Sequence, residues 1–205
     1  ASEVLELVKP AISSLSATTV KNGASFTIAG TNLDLVSSVE FQNASVEAAD
    51  FVSQSGTSIE LNLPLTASNG AFTLHTASET SAAGEALTFL VPSVTSFDPV
   101  EAKPNQSVVL TGTHLDLVVS VRFGSVEADI TTQTETELTL TVKVGSESGP
   151  ITVKTANGTE VNSTSDFTVL TNLPDVSGYL EEKGVPGEIL TIQGTNLLLI
   201  KELVF

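Results

Sequence analysis

Phe26-Thr27-Ile28-Ala29-Gly30-Thr31-Asn32-Leu33-Asp34-Leu35-Val36-Ser37-Ser38-Val39-Glu40-Phe41 is a stretch that this chain writes more than once. It returns at 108–123 as VVLTGTHLDLVVSVRF and at 190–205 as LTIQGTNLLLIKELVF. Pro10, Pro92 and Pro174 stand 82 residues apart, and so do Gly30, Gly112 and Gly194 and the trio Phe41, Phe123 and Phe205. Three such columns in one register mark an internal repeat.

The second half of the unit also recurs, with small length changes. Gly70 to Thr76 (GAFTLHT) corresponds to Gly149 to Thr155 (GPITVKT), and Leu87-Thr88-Phe89-Leu90 to Phe167-Thr168-Val169-Leu170. Within each copy the apolar residues alternate, as at Phe26 and Ile28, at Ile59, Leu61 and Leu63, and at Leu138, Leu140 and Val142. Period-two patterns rich in Val, Ile, Thr and Phe predict half-buried strands. Asn22-Gly23, Asn69-Gly70 and Asn157-Gly158 are the turn signals between them. No helical stripe longer than two turns is present. About seven short strands in some 80 residues predict a two-sheet sandwich. The chain therefore divides into a lead at 1–9, modules at 10–91 and 92–173, and an incomplete third module at 174–205.

Composition narrows the partners. There are 24 acidic and 8 basic residues, for a formal net charge of −16. Nucleic-acid affinity rests on Lys and Arg neutralising phosphates, and an anionic membrane surface attracts the same residues. Neither partner suits this charge. The absence of cysteine removes disulfides, thiolate metal sites and thiol nucleophiles. No apolar run reaches the roughly 20 residues needed to span a bilayer, so no direct membrane insertion is expected. A start at Ala1-Ser2-Glu3, without an initiator Met or a signal peptide, reads as a processed or trimmed product.

Candidate chemistry dissolves when it is read by column. His75 and His114 are the two histidines. His114 stands in the column of Asn32 and Asn196, a turn position that tolerates unusual backbone angles. His75 lies on the strand face opposite Phe72 and Leu74, its counterpart is Lys154, and it reads as facing solvent. The densest carboxylates, Glu181-Glu182 and Glu135-Thr136-Glu137, read as solvated surface and lack the loop spacing of a calcium cage. The Gly-Thr-Asn stretches have no following helix to hold an anion. There is no Trp and one Tyr, and each aromatic has an apolar counterpart. Leu15, Phe97 and Tyr179 share a column, Phe26 pairs with Val108 and Leu190, Phe51 approximately with Ile130, and Phe72 with Ile151. Phe89 pairs with Val169, and Phe167 with Leu87. Core packing accounts for all of the rings and leaves none as a sugar platform. No catalytic, cofactor-binding or metal-binding residue is assigned, and no cofactor is expected.

The motifs Pro10-Ala11-Ile12-Ser13-Ser14, Gly30-Thr31-Asn32-Leu33 and Val39-Glu40-Phe41 resemble the IPT/TIG family of immunoglobulin-like domains. So do Pro92, Gly112-Thr113-His114-Leu115, Val121-Arg122-Phe123-Gly124 and Gly149 to Thr155 with Asn157-Gly158. His114 is the one departure, replacing the usual Asn. The resemblance covers nearly the whole chain and implies an all-β array of tandem immunoglobulin-like sandwiches. It also implies a spacer or recognition role and no enzymatic activity. A tandem, acidic, cysteine-free array is similar to the stalks of Bacteroidetes surface glycan-binding lipoproteins. That likeness implies an extracellular scaffold on a bacterial surface, anchored to the outer membrane in the full-length protein. It would present a downstream carbohydrate-recognition domain, so that a glycan is bound outside this chain. The alternatives are adhesion modules that bind a surface protein, or accessory modules of a secreted polysaccharide hydrolase. The joins Leu90-Val91-Pro92 and Leu170-Thr171-Asn172-Leu173-Pro174 are short and end in proline, as a semi-rigid rod requires. The third module stops after its first strands. Its apolar set, Ile189, Ile192, Leu197, Leu198, Leu199, Ile200, Leu203, Val204 and Phe205, would lack an opposing sheet and could mediate association. The natural protein is therefore expected to continue past Phe205.

Overall fold

The alternation of Phe26 and Ile28 with Thr27 and Ala29 becomes a strand that buries one face. A computed structural model of the chain describes residues 8–78, 81–170, 175–179, 187, 189, 191–195, 197 and 202. In the first module one sheet has the order β1-β3-β7-β6. Its strands are β1 (Ala11–Leu15), β3 (Ser25–Thr31), β7 (Ser58–Asn62) and β6 (Ser53–Gln54). The facing sheet contains β2 (Thr19–Val20), β9 (Ser81–Phe89), β8 (Ser68–Thr76), β4 (Val36–Gln42) and β5 (Ala44–Glu47), in that order.

The second module repeats the plan. One sheet runs β10 (Ser93–Asp98), β12 (Ser107–Thr113), β16 (Glu137–Thr141), β15 (Asp129–Gln133). The other runs β11 (Glu101–Ala102), β18 (Glu160–Val169), β17 (Gly149–Thr155), β13 (Val118–Phe123), β14 (Val126–Glu127). Each module thus has nine strands where about seven were expected, because two-residue pieces such as β2 and β11 also pair. These pieces matter for the edges. After pairing antiparallel with β3, the chain crosses over, and β2 runs parallel beside β9. β10 and β11 do the same against β12 and β18. Each opening segment therefore covers an edge of both sheets, and exposed edges are what invite unwanted strand pairing.

The glycine columns have a steric cause. β1 bulges between Ile12 and Ser14, and Ile12 lies opposite Gly30. β10 bulges between Val94 and Ser96, with Val94 opposite Gly112. A Cβ on Gly30 would overlap the Ala11 carbonyl oxygen, and one on Gly112 the Ser93 carbonyl oxygen. The same pairing appears a third time in β19 (Asp175–Tyr179) and β20 (Ile192–Thr195). There Val176 lies opposite Gly194, with the shift between Val176 and Gly178. Ile189 is 86% exposed. Leu198, Leu199, Ile200, Leu203, Val204 and Phe205 lie outside the described residues, as do Glu181 and Glu182.

Each sandwich closes on its own core. Phe26, Ile28, Val39, Phe41, Ile59, Leu61, Phe72 and Leu74 are among the buried residues of the first. Val108, Leu110, Val121, Phe123, Leu138, Leu140, Ile151 and Phe167 are among those of the second. Leu15 packs partly buried against the first core, in the column where Phe97 is buried in the second. The largest ring changes strand between modules. In the first, Phe72 on β8 and Leu87 on β9 are both buried, and the Phe72 ring lies 5.7 Å from Phe41. In the second, Ile151 takes the Phe72 position while Phe167 takes that of Leu87, 4.9 Å from Phe123. Each core thus buries one ring and one aliphatic side chain at this pair of positions. Gly84 on β9 makes room for the first arrangement, since a Cβ there would overlap the Phe72 ring.

Two of the three Asn-Gly signals mark turns, at Asn22-Gly23 and Asn157-Gly158. Asn69-Gly70 does not, because both residues lie inside β8. The Asn69 carboxamide oxygen accepts the Phe89 backbone N–H at 2.7 Å, tying β8 to β9. Ser148 Oγ accepts the Val169 N–H at 2.9 Å in the second module. The polar side chain at this position is used for cross-strand bonding, not for chain reversal.

Candidate functional site

The short 3-10 turns that follow Gly-Thr-Asn and Gly-Thr-His place the polar residues with the most structure around them. Asn32 and His114 adopt left-handed backbone angles, with φ of 57° and 52°. Asn and His occupy that region more readily than branched residues. The turns themselves are Leu33–Leu35 and Leu115–Leu117. Each is held by a glutamine to which sequence reading assigned no role. Gln54 Nε2 donates to the Leu33 and Val36 carbonyls at 2.8 Å each. Gln133 Nε2 donates to the Leu115 and Val118 carbonyls at 2.8 and 2.7 Å. Gln54 ends β6 and Gln133 ends β15, so the two occupy equivalent strand ends.

The second turn carries Asp116 to the junction between the modules. Lys21, at the end of β2, extends from the first module and lies 2.8 Å from Asp116 and 3.3 Å from Glu135 of the second. The hydrogen bond with Asp116 and, secondarily, that with Glu135 raise the Lys21 pKa above 10.5, against the opposing effect of burial. His114 Nδ1 is 3.5 Å from Glu135 as well. Glu135, expected to be plain solvated surface, is 60% exposed yet sits between these two bases.

A neutral contact supports the same junction. Asn157 Nδ2 donates to the Ala67 carbonyl at 3.3 Å, while Asn157 Oδ1 accepts from Thr155 Oγ1 and from the Thr159 N–H. The Ala67 carbonyl also accepts from Asn22 Nδ2 at 3.0 Å within its own module. A single oxygen thus takes one donor from each side. Between the ionic and neutral contacts is a cleft of about 390 Å³, whose apolar walls include Leu65, Leu117 and Val119.

His75 is placed elsewhere, on the outer face of β8. Its Nε2 lies 2.8 Å from Glu40 Oε2, and both side chains are partly exposed. At the equivalent face of the second module, Glu160 meets Arg122 at 2.7 Å and Lys154 at 3.6 Å. The two histidines therefore occupy separate surfaces, and each has a carboxylate neighbour but no nucleophile assigned to it. Among the described residues, no group of three or more His, Asp or Glu is arranged to hold a metal ion. Seven phenylalanines (Phe26, Phe41, Phe72, Phe89, Phe97, Phe123 and Phe167) are buried, and Phe51 packs partly buried against the first core. No helix among the described residues is long and apolar enough to cross a membrane.

Comparison with known proteins follows the same division. The IPT/TIG domain matches residues 92–170. No curated protein matches the chain. Among solved structures, the chain is similar to the surface glycan-binding protein PbSGBP-B from Prevotella bryantii, at 16% identity and a TM-score of 0.40. That alignment covers 80% of this chain and 43% of that one. A Bacteroides ovatus SGBP-B from a mixed-linkage glucan utilization locus is 23% identical over 79% of this chain and 45% of its own, with a TM-score of 0.35. The plexin A4 extracellular region is 18% identical over 79% of this chain and 18% of its own, with a TM-score of 0.42. The chain thus spans less than half the length of each of these three structures. Residues 92–170 match the IPT/TIG domain, and the first module repeats their strand order, their bulge and their glycine opposite the bulged strand.

Proposed function

We propose that the chain is a non-enzymatic extracellular spacer of a bacterial cell-surface protein. In this reading it holds a carbohydrate-recognition domain, carried elsewhere in the full-length protein, away from an outer-membrane anchor. The observation that supports the reading most directly is the direct bonding between consecutive modules. Lys21 reaches Asp116 and Glu135, and Asn157 reaches Ala67, across a join of only three residues, Leu90 to Pro92. A spacer works by geometry. It sets how far a binder reaches and how concentrated the binder is near its target. A freely jointed chain would spread that reach over many distances, whereas a bonded joint narrows it.

The modules themselves are assigned no glycan, because their buried aromatic rings belong to the two cores. Calorimetric titration of the chain with a mixed-linkage heptasaccharide is the direct test. The expected result is no saturable heat. Micromolar binding by this chain would overturn the spacer reading and make the modules recognition domains.

A further inference from the structure

We propose that Lys21 is an electrostatic latch, which selects one angle between the two modules and releases it when its charge is removed or screened. The inference rests on the spacer reading above and adds the residue that fixes the spacer's shape. Lys21 is the cation that bridges the junction. It meets two acids of the neighbouring module, Asp116 on the 3-10 turn and Glu135 in the β15–β16 turn, at 2.8 and 3.3 Å. Both acids are held from behind. The Leu115 and Val118 carbonyls that flank Asp116 are gripped by Gln133, and the Leu115 N–H donates to the Glu135 carbonyl at 2.8 Å. Lys21 is fixed in turn by its neighbour Asn22, whose Nδ2 bonds the Pro64 and Ala67 carbonyls. The backbones that carry the charged groups are therefore preset, and the ordering of the three side chains is what the pairing must still offset.

Charge accounting gives the latch its sign. In a chain with a formal net charge of −16, two acids at one junction repel the rest of the acidic surface unless a cation sits between them. Removing Lys21 leaves Asp116 and Glu135 facing the first module without a lysine. The Asn157–Ala67 bond remains, so the joint widens its range of angles and the modules stay adjacent. The column of Asp116 contains Asp34 in the first copy but Leu198 in the third. Lys21 recurs as Lys103, whose counterpart partner would be Leu198, so the lysine–aspartate pair is complete at the first junction and not at the second.

The test is a distance distribution between nitroxide labels at Ser45→Cys and Ser125→Cys. Both sites are exposed, one lies on each module, and the chain has no cysteine to interfere. The parent protein at 0.15 M salt should give one narrow distribution. Lys21→Met should broaden it, with the ratio of latched to displaced joints falling about fivefold, as for a partly exposed ion-pair network. Salt at 1 M should broaden the parent in the same way, because the screening length contracts to about 3 Å. The full exchange Lys21→Glu with Asp116→Lys and Glu135→Lys should restore the narrow distribution, and such rescue separates latching from misfolding. An identical distribution in the parent and in Lys21→Met, with both modules folded by circular dichroism, would refute the latch. That outcome would leave the spacer reading intact, since saccharide titration tests it separately.

Discussion

Replacing Gln133 by alanine should loosen the second module at one defined place. The side chain supplies two hydrogen bonds, to the Leu115 and Val118 carbonyls at 2.8 and 2.7 Å. Each such bond contributes about 0.5–1.5 kcal/mol net. Gln133 is itself exposed, so water can reach the vacated carbonyls and the lower half of that range applies. The loss is then about 1–2 kcal/mol, and each 1.4 kcal/mol corresponds to roughly tenfold in an opening equilibrium. The Leu115 amide, bonded to the Glu135 carbonyl, is the local reporter. Its hydrogen exchange should accelerate about tenfold. The first module is a built-in control, because Gln54 makes the equivalent pair of bonds and the Leu33 amide bonds the Gly56 carbonyl. Leu33 exchange should not change. Gln133→Glu should do more harm than alanine, since it sets a carboxylate against two carbonyl oxygens. Acceleration below about threefold at Leu115, or equal acceleration at Leu33, would refute the idea that the glutamine fixes its own turn.

Further tests follow from the same contacts. Gly112→Ala places a Cβ onto the Ser93 carbonyl and should lower stability by about 1–3 kcal/mol, read as a smaller urea midpoint at constant slope. Gly84→Ala pushes into the Phe72 ring and should cost a similar amount, about 1–3 kcal/mol, with exchange accelerating across β8 and β9 but not across β17 and β18. The Lys21 pKa is raised above 10.5, first by its bond to Asp116. Its contribution is therefore complete below the ordinary lysine value and lost as pH rises through the raised one. On the alkaline side, label distances across the junction should broaden as pH rises through that limit, and Lys21→Met should abolish this transition.

Much of the sandwich is legible because burial imposes a period. Phe26 and Ile28, or Leu138 and Leu140, alternate with polar neighbours since one face of each strand enters a core. The Gly30 and Gly112 columns were legible as a repeat, although their reason, a bulging neighbour strand, is tertiary. Asn69-Gly70 misled because the dipeptide reports local backbone preference, and here a cross-strand bond to Phe89 overrides it. Gln54 and Gln133 were silent because an exposed glutamine has no periodic signature. The junction was out of reach for another reason. Lys21 and Glu135 are 114 residues apart, and nothing in either module's own pattern requires them to meet.

The movement of the large ring from β8 in one module to β18 in the other bears on how neighbouring copies of one fold avoid misassembly. Tandem repeats are prone to exchanging strands during folding, because each accepts its neighbour's pattern. A hybrid sandwich made here by trading β9 for β18 would carry Phe72 with Phe167 and Val169 in one core, and Ile151 with Leu87 and Phe89 in the other. The ring count of each core is then unchanged, but the rings stand at the wrong sites, and repacking them costs about 1–3 kcal/mol. The native pairings, β8 with β9 and β17 with β18, keep a single ring of this pair in each core. Divergence at these positions thus favours each copy's own strand pairing over exchange with its neighbour, although the two modules share one strand order.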